Sequence, residues 1–472
     1  MYMRKMTITQ KNNSYRREVT GEERRFLFSP NMHTSIVLRL RGSISEEALG
    51  NAVRKMLETY PLFGVRMEWS DEGVHWSTTD GAAEVPVRLY TRETDDSWIQ
   101  VLNKEHEIPL SPSKGPLTRF ILVNGNEASE LIIFCHHSIS DGRSLQFALR
   151  EVLLHLKDPN RTPPKGVNAP PQTLDILPDG VSMGKLRSTI IGRYNKKWIE
   201  EGRTVFDEED LLNIWESFWK NSEYCIETIE FDESETQKLI EIARSNEVTL
   251  NSTLNMALVK ARIESVGAYD GKALVGSAID TRKRLRVDCS GAVGYYVGTS
   301  LLQFKYKEGS SFWENVQKYH KEIGKQLKST SIFDTALTYS LLDPTIIDAT
   351  LFMILGEQVE PHQSRYTKIS EFAKHKDGMG EKFRLRTEEI SPDLISTNLG
   401  KLELPEDIPG FQIERVFFTP GSSLVMEIVL GVATAGGNLT VTLNYYKGYV
   451  DGENIRKIRD RAEEILRGLL EE

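Results

Sequence analysis

Two adjacent histidines, His136 and His137, are the residues of this 472-residue chain whose types and spacing best suit proton transfer. An imidazole has a reference pKa of about 6.5, so it can accept a proton near neutral pH and return it. Asp141 follows four residues after His137 and can accept a hydrogen bond or pair with a cation. Gly142 comes next and allows a positive φ or a close backbone approach. This spacing predicts a general base with a carboxylate nearby.

A buried strand and a helix must position the two histidines. Residues 131–135 form an apolar run of β-prone types, which predicts a core strand that ends at the histidines. Residues 143–156 then predict a helix, because leucine and valine recur there at helical spacing. Neighbouring strand residues point to opposite faces, so one histidine can face a site while the other packs behind it.

Metal binding is the competing interpretation of the same residues. His137 and Asp141 would supply two ligands, but no HExxH or CxxC pattern supplies a third, so the sequence predicts no metal site. The three cysteines, Cys135, Cys225 and Cys289, have no paired spacing. So few cysteines in a long chain are typical of a reducing cytoplasm.

Composition narrows the class of partner. The chain has 59 Lys and Arg against 68 Asp and Glu, a net charge of −9, which argues against nucleic acid or an anionic membrane as the main partner. No apolar run approaches the roughly 20 residues of a membrane span. We therefore expect a cytoplasmic protein without a membrane-spanning segment.

Proline marks the predicted division of the chain. Residues 157–180 hold six prolines and predict a crossover. We therefore predict an N-terminal lobe over residues 1–180, which carries the histidines, and a C-terminal lobe over residues 181–472. We expect residues 1–25 to be a polar, partly disordered lead-in.

The segment at residues 136–142, His-His-Ser-Ile-Ser-Asp-Gly, resembles the HHxxxDG signature of the condensation-domain acyltransferase superfamily. That superfamily includes condensation domains of nonribosomal peptide synthetases, chloramphenicol acetyltransferase, polyketide-associated acyltransferases and free-standing alcohol O-acyltransferases. Four further segments resemble family motifs in the expected order: residues 60–66, with Tyr where the family has His, and residues 115–119, 280–298 and 394–400.

The resemblance implies an α/β fold of two chloramphenicol-acetyltransferase-like mixed-sheet lobes in one chain, with an active-site channel between them. It also implies an acyltransferase that moves an acyl group from a thioester to a hydroxyl or an amine. The thioester donor would be an acyl-CoA or an acyl group on a carrier protein. No cofactor is implied, and we expect a monomer because two lobes already close the channel.

The resemblance also assigns roles to individual residues. His137 would be the catalytic base, and His136 would be structural. Asp141 would pair with Arg282 and hold the shape of the loop. The attack on a thioester creates an oxyanion, which polar donors stabilise. Thr397 and Asn398, at a predicted strand end, are candidate donors or substrate contacts, and a backbone N–H near Gly142 is another.

Two features limit the assignment. The DFGWG segment of the plant branch of the superfamily is missing, which argues against a plant-type enzyme. No adenylation or carrier domain follows residue 472, so we expect a free-standing acyltransferase. The alternative hypothesis is a non-catalytic scaffold that binds a carrier protein through a condensation-like fold, and thioester turnover separates the two.

Overall fold

The computed structural model describes residues 4–9, 15–70, 73–78, 84–166, 170–356, 367–389, 391–422 and 426–471. The strands in these residues are β1 (Arg4–Thr9), β2 (Arg16–Glu18), β3 (His33–Gly42), β4 (Arg66–Ser70), β5 (Gly73–Ser77), β6 (Glu84–Thr91), β7 (Thr118–Asn124), β8 (Ala128–His136), β9 (Glu223–Phe231), β10 (Ala273–Asp280), β11 (Val297–Phe304), β12 (Leu394–Lys401), β13 (Phe411–Thr419), β14 (Ile428–Ala435) and β15 (Asn438–Lys447).

The α-helices in the same residues are α1 (Gly21–Leu27), α2 (Glu46–Thr59), α3 (Ser97–Glu107), α4 (Gly142–Lys157), α5 (Gly184–Glu200), α6 (Glu208–Asn221), α7 (Glu233–Ser245), α8 (Leu250–Ser265), α9 (Phe312–Leu327), α10 (Asp334–Leu341), α11 (Pro344–Gly356), α12 (Thr367–Ala373), α13 (Met379–Glu389) and α14 (Gly452–Glu471). Short 3₁₀ turns cover Pro61–Gly64, Leu174–Ile176, Arg282–Arg284 and Thr330–Phe333.

The strands form two mixed sheets of six strands and a small sheet of three. The first sheet has the order β1-β6-β7-β8-β3-β13, and the second has the order β11-β10-β12-β14-β15-β9. The β6–β7 pair is parallel in the first sheet, and the β10–β12 and β12–β14 pairs are parallel in the second. The predicted mixed α/β fold with two sheet-based halves is confirmed.

Strand β13 connects the two halves. It follows residue 180 in the chain, yet it pairs antiparallel with β3 at the edge of the first sheet. Side chains of β15 then donate hydrogen bonds to carbonyl groups of β13: Thr440 to Val416 and Thr442 to Phe418, both at 2.6 Å. The lobe boundary after residue 180 stays a prediction. By sequence β13 belongs to the predicted C-terminal lobe, but it extends the sheet of the predicted N-terminal lobe.

The unit that carries the histidines follows from its sequence. Residues 131–135 are fully buried in the middle of β8, between β7 and β3. Strand β8 ends at His136, and α4 begins at Gly142 with the side chain of Asp141 as its N-cap. An aspartate at this position satisfies a backbone N–H that would otherwise lack a partner at the helix start. The predicted strand, turn and helix are confirmed.

The predicted polar lead-in is wrong for residues 15–25. They include β2 and most of α1, and α1 begins with a capping box in which Thr20 and Glu23 bond each other's backbone N–H. Charged side chains of α1 are buried because they find partners elsewhere. Arg24, for example, lies 2.9 Å from Asp348 of α11.

Within the described residues, no single helix is both long enough and apolar enough to cross a membrane. One pair, residues 330–341 with 344–356, reaches that length and composition together, but it bends by 99°.

Candidate active site

His137 lies in the turn between β8 and α4, with its ring oriented by backbone groups. Its Nδ1 is 2.8 Å from the carbonyl oxygen of Ser140, and its own backbone N–H donates to the carbonyl of Met32. Because a carbonyl can only accept, Nδ1 must carry the ring proton. Nε2 therefore holds the lone pair, and it makes no hydrogen bond within the described residues. The ring is half-buried.

The surroundings keep this imidazole neutral. The pKa of His137 is lowered to about 4, chiefly by burial. The charge of Arg25 acts in the same direction, while the Ser140 carbonyl and Asp141 oppose the shift. An imidazole with this pKa is unprotonated at pH 7, so its Nε2 can accept a proton.

Two aromatic rings from distant parts of the chain bound the His137 ring. Phe26 of α1 stacks on it, with ring centroids 4.7 Å apart and planes inclined by 24°. Tyr295 meets it edge-on, at 5.3 Å and 70°. Phe26 precedes the histidines in the chain, whereas Tyr295 follows residue 180. His137 thus lies where residues from both predicted lobes meet. The channel itself stays a prediction.

His136 has a different environment from His137. It is only 1% exposed, and its Nδ1 lies 2.7 Å from the hydroxyl of Ser138 and 3.3 Å from the backbone N–H of Ser138. Its Nδ1 therefore accepts, the opposite arrangement to that of His137. Its ring packs edge-on against His33 at 5.6 Å, and burial lowers its pKa to about 3. These contacts fit the structural role that the resemblance implies.

Asp141 and Arg282 form the ion pair that the resemblance implies. Nη1 of Arg282 is 2.9 Å from Oδ2 of Asp141, and Nη2 is 3.0 Å from Oδ1, with both side chains at most 2% exposed. Burial disfavours the charged carboxylate, but Arg282 outweighs it and lowers the pKa of Asp141. A second carboxylate, Asp280, lies 3.0 Å from Nη1. The bidentate pair joins the histidine turn to the second half of the chain.

The carboxylate of Asp141 also positions Tyr295, which forms one side of the candidate site. Oδ2 of Asp141 accepts from the backbone N–H of Tyr296 at 2.9 Å, and Ser144 accepts from the backbone N–H of Gly294 at 3.0 Å. Tyr295 lies between these two anchored residues. Asp141 therefore acts on the candidate site through the position of the Tyr295 ring beside His137.

Gly142 is required here for a close approach. A Cβ at this position would lie 2.6 Å from side-chain carbons of both Leu399 and Phe418. Its φ is not in the left-handed region, so of the two reasons for a glycine that the sequence left open, steric space applies. The first turn of α4 can thus approach β12 and β13.

Thr397 and Asn398 lie on β12, in the second sheet. Thr397 is half-buried, and Asn398 is exposed and donates its side-chain amide to Asn251 at 3.1 Å. Within the described residues neither makes a hydrogen bond to His137. Their role as oxyanion donors or substrate contacts stays a prediction. Across the same residues, no group of three or more His, Cys, Asp or Glu is arranged to hold a metal ion.

Sequence reasoning missed Arg25 and Phe26, and it gave Tyr295 no role. Residues 22–25 are all charged, so their composition does not indicate burial. The available signal was the Thr20-x-x-Glu23 capping box, which marks a helix start ahead of an apolar run. Nothing local to α1 shows that its Phe26 reaches His137.

Comparisons with known proteins support the condensation-domain resemblance and the fold. Residues 28–156 match the family model of the condensation domain. Trichothecene 15-O-acetyltransferase TRI3 from Fusarium sporotrichioides superposes with a TM-score of 0.62 at 12% identity, covering 98% of this chain and 97% of that one. The condensation-domain resemblance is confirmed. The first condensation domain of the calcium-dependent antibiotic synthetase, in complex with a substrate analogue, gives 0.59 at 12%, with 97% of each chain covered. At such identities these likenesses establish the fold.

Curated relatives are large synthetases. HC-toxin synthetase of Cochliobolus carbonum is 28% identical over 141 residues, which are 28% of this chain and 3% of the synthetase. Nonribosomal peptide synthetase kk1B of Curvularia clavata is 24% identical over 294 residues, 60% of this chain and 2% of that protein. Bacitracin synthase 2 of Bacillus licheniformis is 25% identical over 259 residues, 50% of this chain and 9% of that protein. The chain therefore spans only a small part of the length of these relatives.

Proposed function

We propose that this protein is an acyltransferase that moves an acyl group from a thioester to a hydroxyl or an amine, with His137 as the general base. The observation that carries the proposal is the 2.8 Å contact between Nδ1 of His137 and the Ser140 carbonyl. That contact fixes the tautomer and directs the Nε2 lone pair away from the turn. The ring is half-buried between Phe26 and Tyr295, where water is partly excluded.

The reaction follows from this arrangement. Nε2 of His137 takes the proton of the acceptor O–H or N–H as the oxygen or nitrogen attacks the thioester carbonyl. A tetrahedral oxyanion forms and collapses with cleavage of the C–S bond. The leaving thiolate then takes the proton from His137, so the base returns to its neutral form. Neutrality before the reaction is required, and the pKa of about 4 supplies it at pH 7.

Two donors suit this chemistry: an acyl-CoA and an acyl group on a carrier protein. The peptide synthetases among the relatives favour the carrier-bound donor, and the acetyltransferase likeness favours the free one. Peptide-bond formation between two carrier-bound groups is the same reaction with an amine as the acceptor. The donor is a thioester in each case, so one assay covers them all.

The test is release of free thiol. The purified protein is incubated with acyl-CoAs of several chain lengths, and in parallel with acyl-pantetheine as a mimic of the carrier arm, each with and without a panel of alcohols and amines. We expect thiol release that depends on the acceptor. A non-catalytic scaffold would leave every combination at the rate of spontaneous hydrolysis, and that result would refute the proposal.

A further inference from the structure

Arg25 of α1 places a positive charge beside the base. Its guanidinium carbon lies 4.3 Å from the ring centroid of Phe26, 5.1 Å from that of Tyr295 and 5.3 Å from that of Tyr339. One terminal nitrogen donates to the hydroxyl of Tyr295. The Nε nitrogen is buried and has no hydrogen-bond partner. Three aromatic rings thus surround the cation, and its Nε donor is unused.

The neighbouring arginines do not share this environment. Arg17 pairs with Glu23, and Arg24 lies 2.9 Å from Asp348. Arg25 has no carboxylate within 4.0 Å among the described residues. Glu22 attracts it from a greater distance, but one Glu22 oxygen is held by Gln172 at 2.8 Å, and burial raises the pKa of Glu22 to about 7. Arg25 is therefore a partly buried guanidinium with no carboxylate in direct contact, and an anionic group of a bound ligand would stabilise it.

The charge lies near the reacting atoms without touching them. The Phe26 ring contacts both groups, with its centroid 4.3 Å from the Arg25 guanidinium carbon and 4.7 Å from the His137 ring. Tyr295 likewise contacts both. No hydrogen bond joins Arg25 to His137 within the described residues. A substrate group bound to Arg25 would therefore lie about the width of one aromatic ring from the carbonyl that is attacked.

From this geometry we propose that Arg25 binds a carboxylate of the small-molecule substrate, so that this protein acts on acids. The planar guanidinium suits a carboxylate because two N–H groups can meet two oxygens. Two substrates present this chemistry: an acceptor that is a hydroxy acid or an amino acid, and a donor whose acyl group ends in a carboxylate. The inference rests on the proposed acyl transfer and names its substrate class.

Matched substrate pairs test the proposal. For the acceptor, thiol release is compared between phenyllactate and methyl phenyllactate, which share the hydroxyl and differ in the carboxylate charge. For the donor, succinyl-CoA is compared with butyryl-CoA. We expect the acid of at least one pair to be preferred about 10- to 100-fold in kcat/KM, the effect of one charge-assisted pair. Arg25→Gln should remove that preference, and Arg25→Lys should keep part of it.

Controls separate this inference from the proposed function. Arg187→Gln removes an exposed arginine of α5, paired with Asp334, and should leave the preference unchanged. Turnover of the neutral substrate by Arg25→Gln reports that the variant is folded. Turnover without any acid preference, or an equal loss by Arg25→Gln on acid and neutral substrate, overturns the Arg25 role and leaves acyl transfer standing. Binding of phenyllactate and its ester, followed by calorimetry, gives the same comparison without turnover.

Discussion

Replacing Asp141 by alanine should be one of the most destabilising single substitutions in the protein. The carboxylate is 2% exposed and accepts from Arg282, from the backbone N–H of Ser144 at 2.8 Å and from that of Tyr296 at 2.9 Å. Breaking a buried ion pair costs about 3–5 kcal/mol because the remaining charge has no partner. Loss of the helix N-cap adds about 1 kcal/mol. We therefore expect a loss of about 4–6 kcal/mol of unfolding free energy.

A double-mutant cycle separates the charge from the cap. Asp141→Asn keeps an acceptor oxygen for the helix start and loses the charge. Arg282→Met removes the guanidinium and keeps an unbranched apolar side chain that fills part of the same space. If the two side chains act as a pair, Asp141→Ala combined with Arg282→Met should lose at least 2 kcal/mol less than the sum of the two single variants, which is roughly the coupling expected between groups in contact.

Urea unfolding at pH 7, followed by tryptophan fluorescence, gives these values. The pH matters because the pKa of Asp141 is lowered in the folded protein. The stability that the ionised Asp141 contributes is fully present above the pKa of about 3.9 that it has in the unfolded chain. This stability is lost as the pH falls towards and through its lower pKa in the folded protein. Additivity of the two substitutions to within about 0.5 kcal/mol would refute the reasoning, since independent sites add to that precision.

Three further substitutions give separate tests. Gly142→Ala should destabilise by about 1–3 kcal/mol in the same urea assay, because its Cβ would lie 2.6 Å from the Phe418 ring; an unchanged midpoint would contradict the close approach. His106→Phe should reduce the loss of stability in acid. The pKa of buried His106 is lowered to about 3, so between pH 7.5 and 5 only the unfolded state binds a proton at this histidine. That proton uptake lowers the free energy of unfolding of the parent protein by about 2 kcal/mol over this range. Equal acid sensitivity of both proteins would disprove this. His136→Ala should lower the free energy of unfolding by about 2–4 kcal/mol through lost packing, with turnover at permissive temperature largely kept; a stable, inactive variant would argue against its structural role.

The sequence predicts the centre of this site well because its signals are local. An apolar run followed by two histidines and an N-capping Asp141 can hardly form anything other than a strand, a turn and a helix. The pairing of Asp141 with Arg282, 141 residues later, came from the family resemblance, since no local pattern encodes a contact at that separation. The structure places the two groups in contact.

The surroundings of His137 could not be predicted, because they depend on contacts between residues that are distant in the sequence. Four consecutive charges make residues 22–25 look solvent-exposed, and only tertiary partners such as Asp348 for Arg24 allow them to be buried. The crossing of β13 into the first sheet is equally non-local. Backbone pairing with β3 and hydrogen bonds from Thr440 and Thr442 hold β13 there, and no local sequence pattern identifies these partners.

The general-base role of His137 is the central claim. The fold does not depend on its Nε2, because that atom makes no hydrogen bond within the described residues, whereas the proposed acyl transfer requires its lone pair. His137→Ala should therefore fold and bind thioester, yet release thiol about 10²–10⁴-fold more slowly, the usual contribution of a positioned general base.

The most direct measurement is the thiol-release rate of His137→Ala at saturating thioester and acceptor, on protein whose circular dichroism and urea midpoint match those of the parent. We expect a rate reduced by at least about 10²-fold with little change in thioester affinity. A rate equal to that of the parent, in a variant shown to be folded, would contradict the assignment of the base.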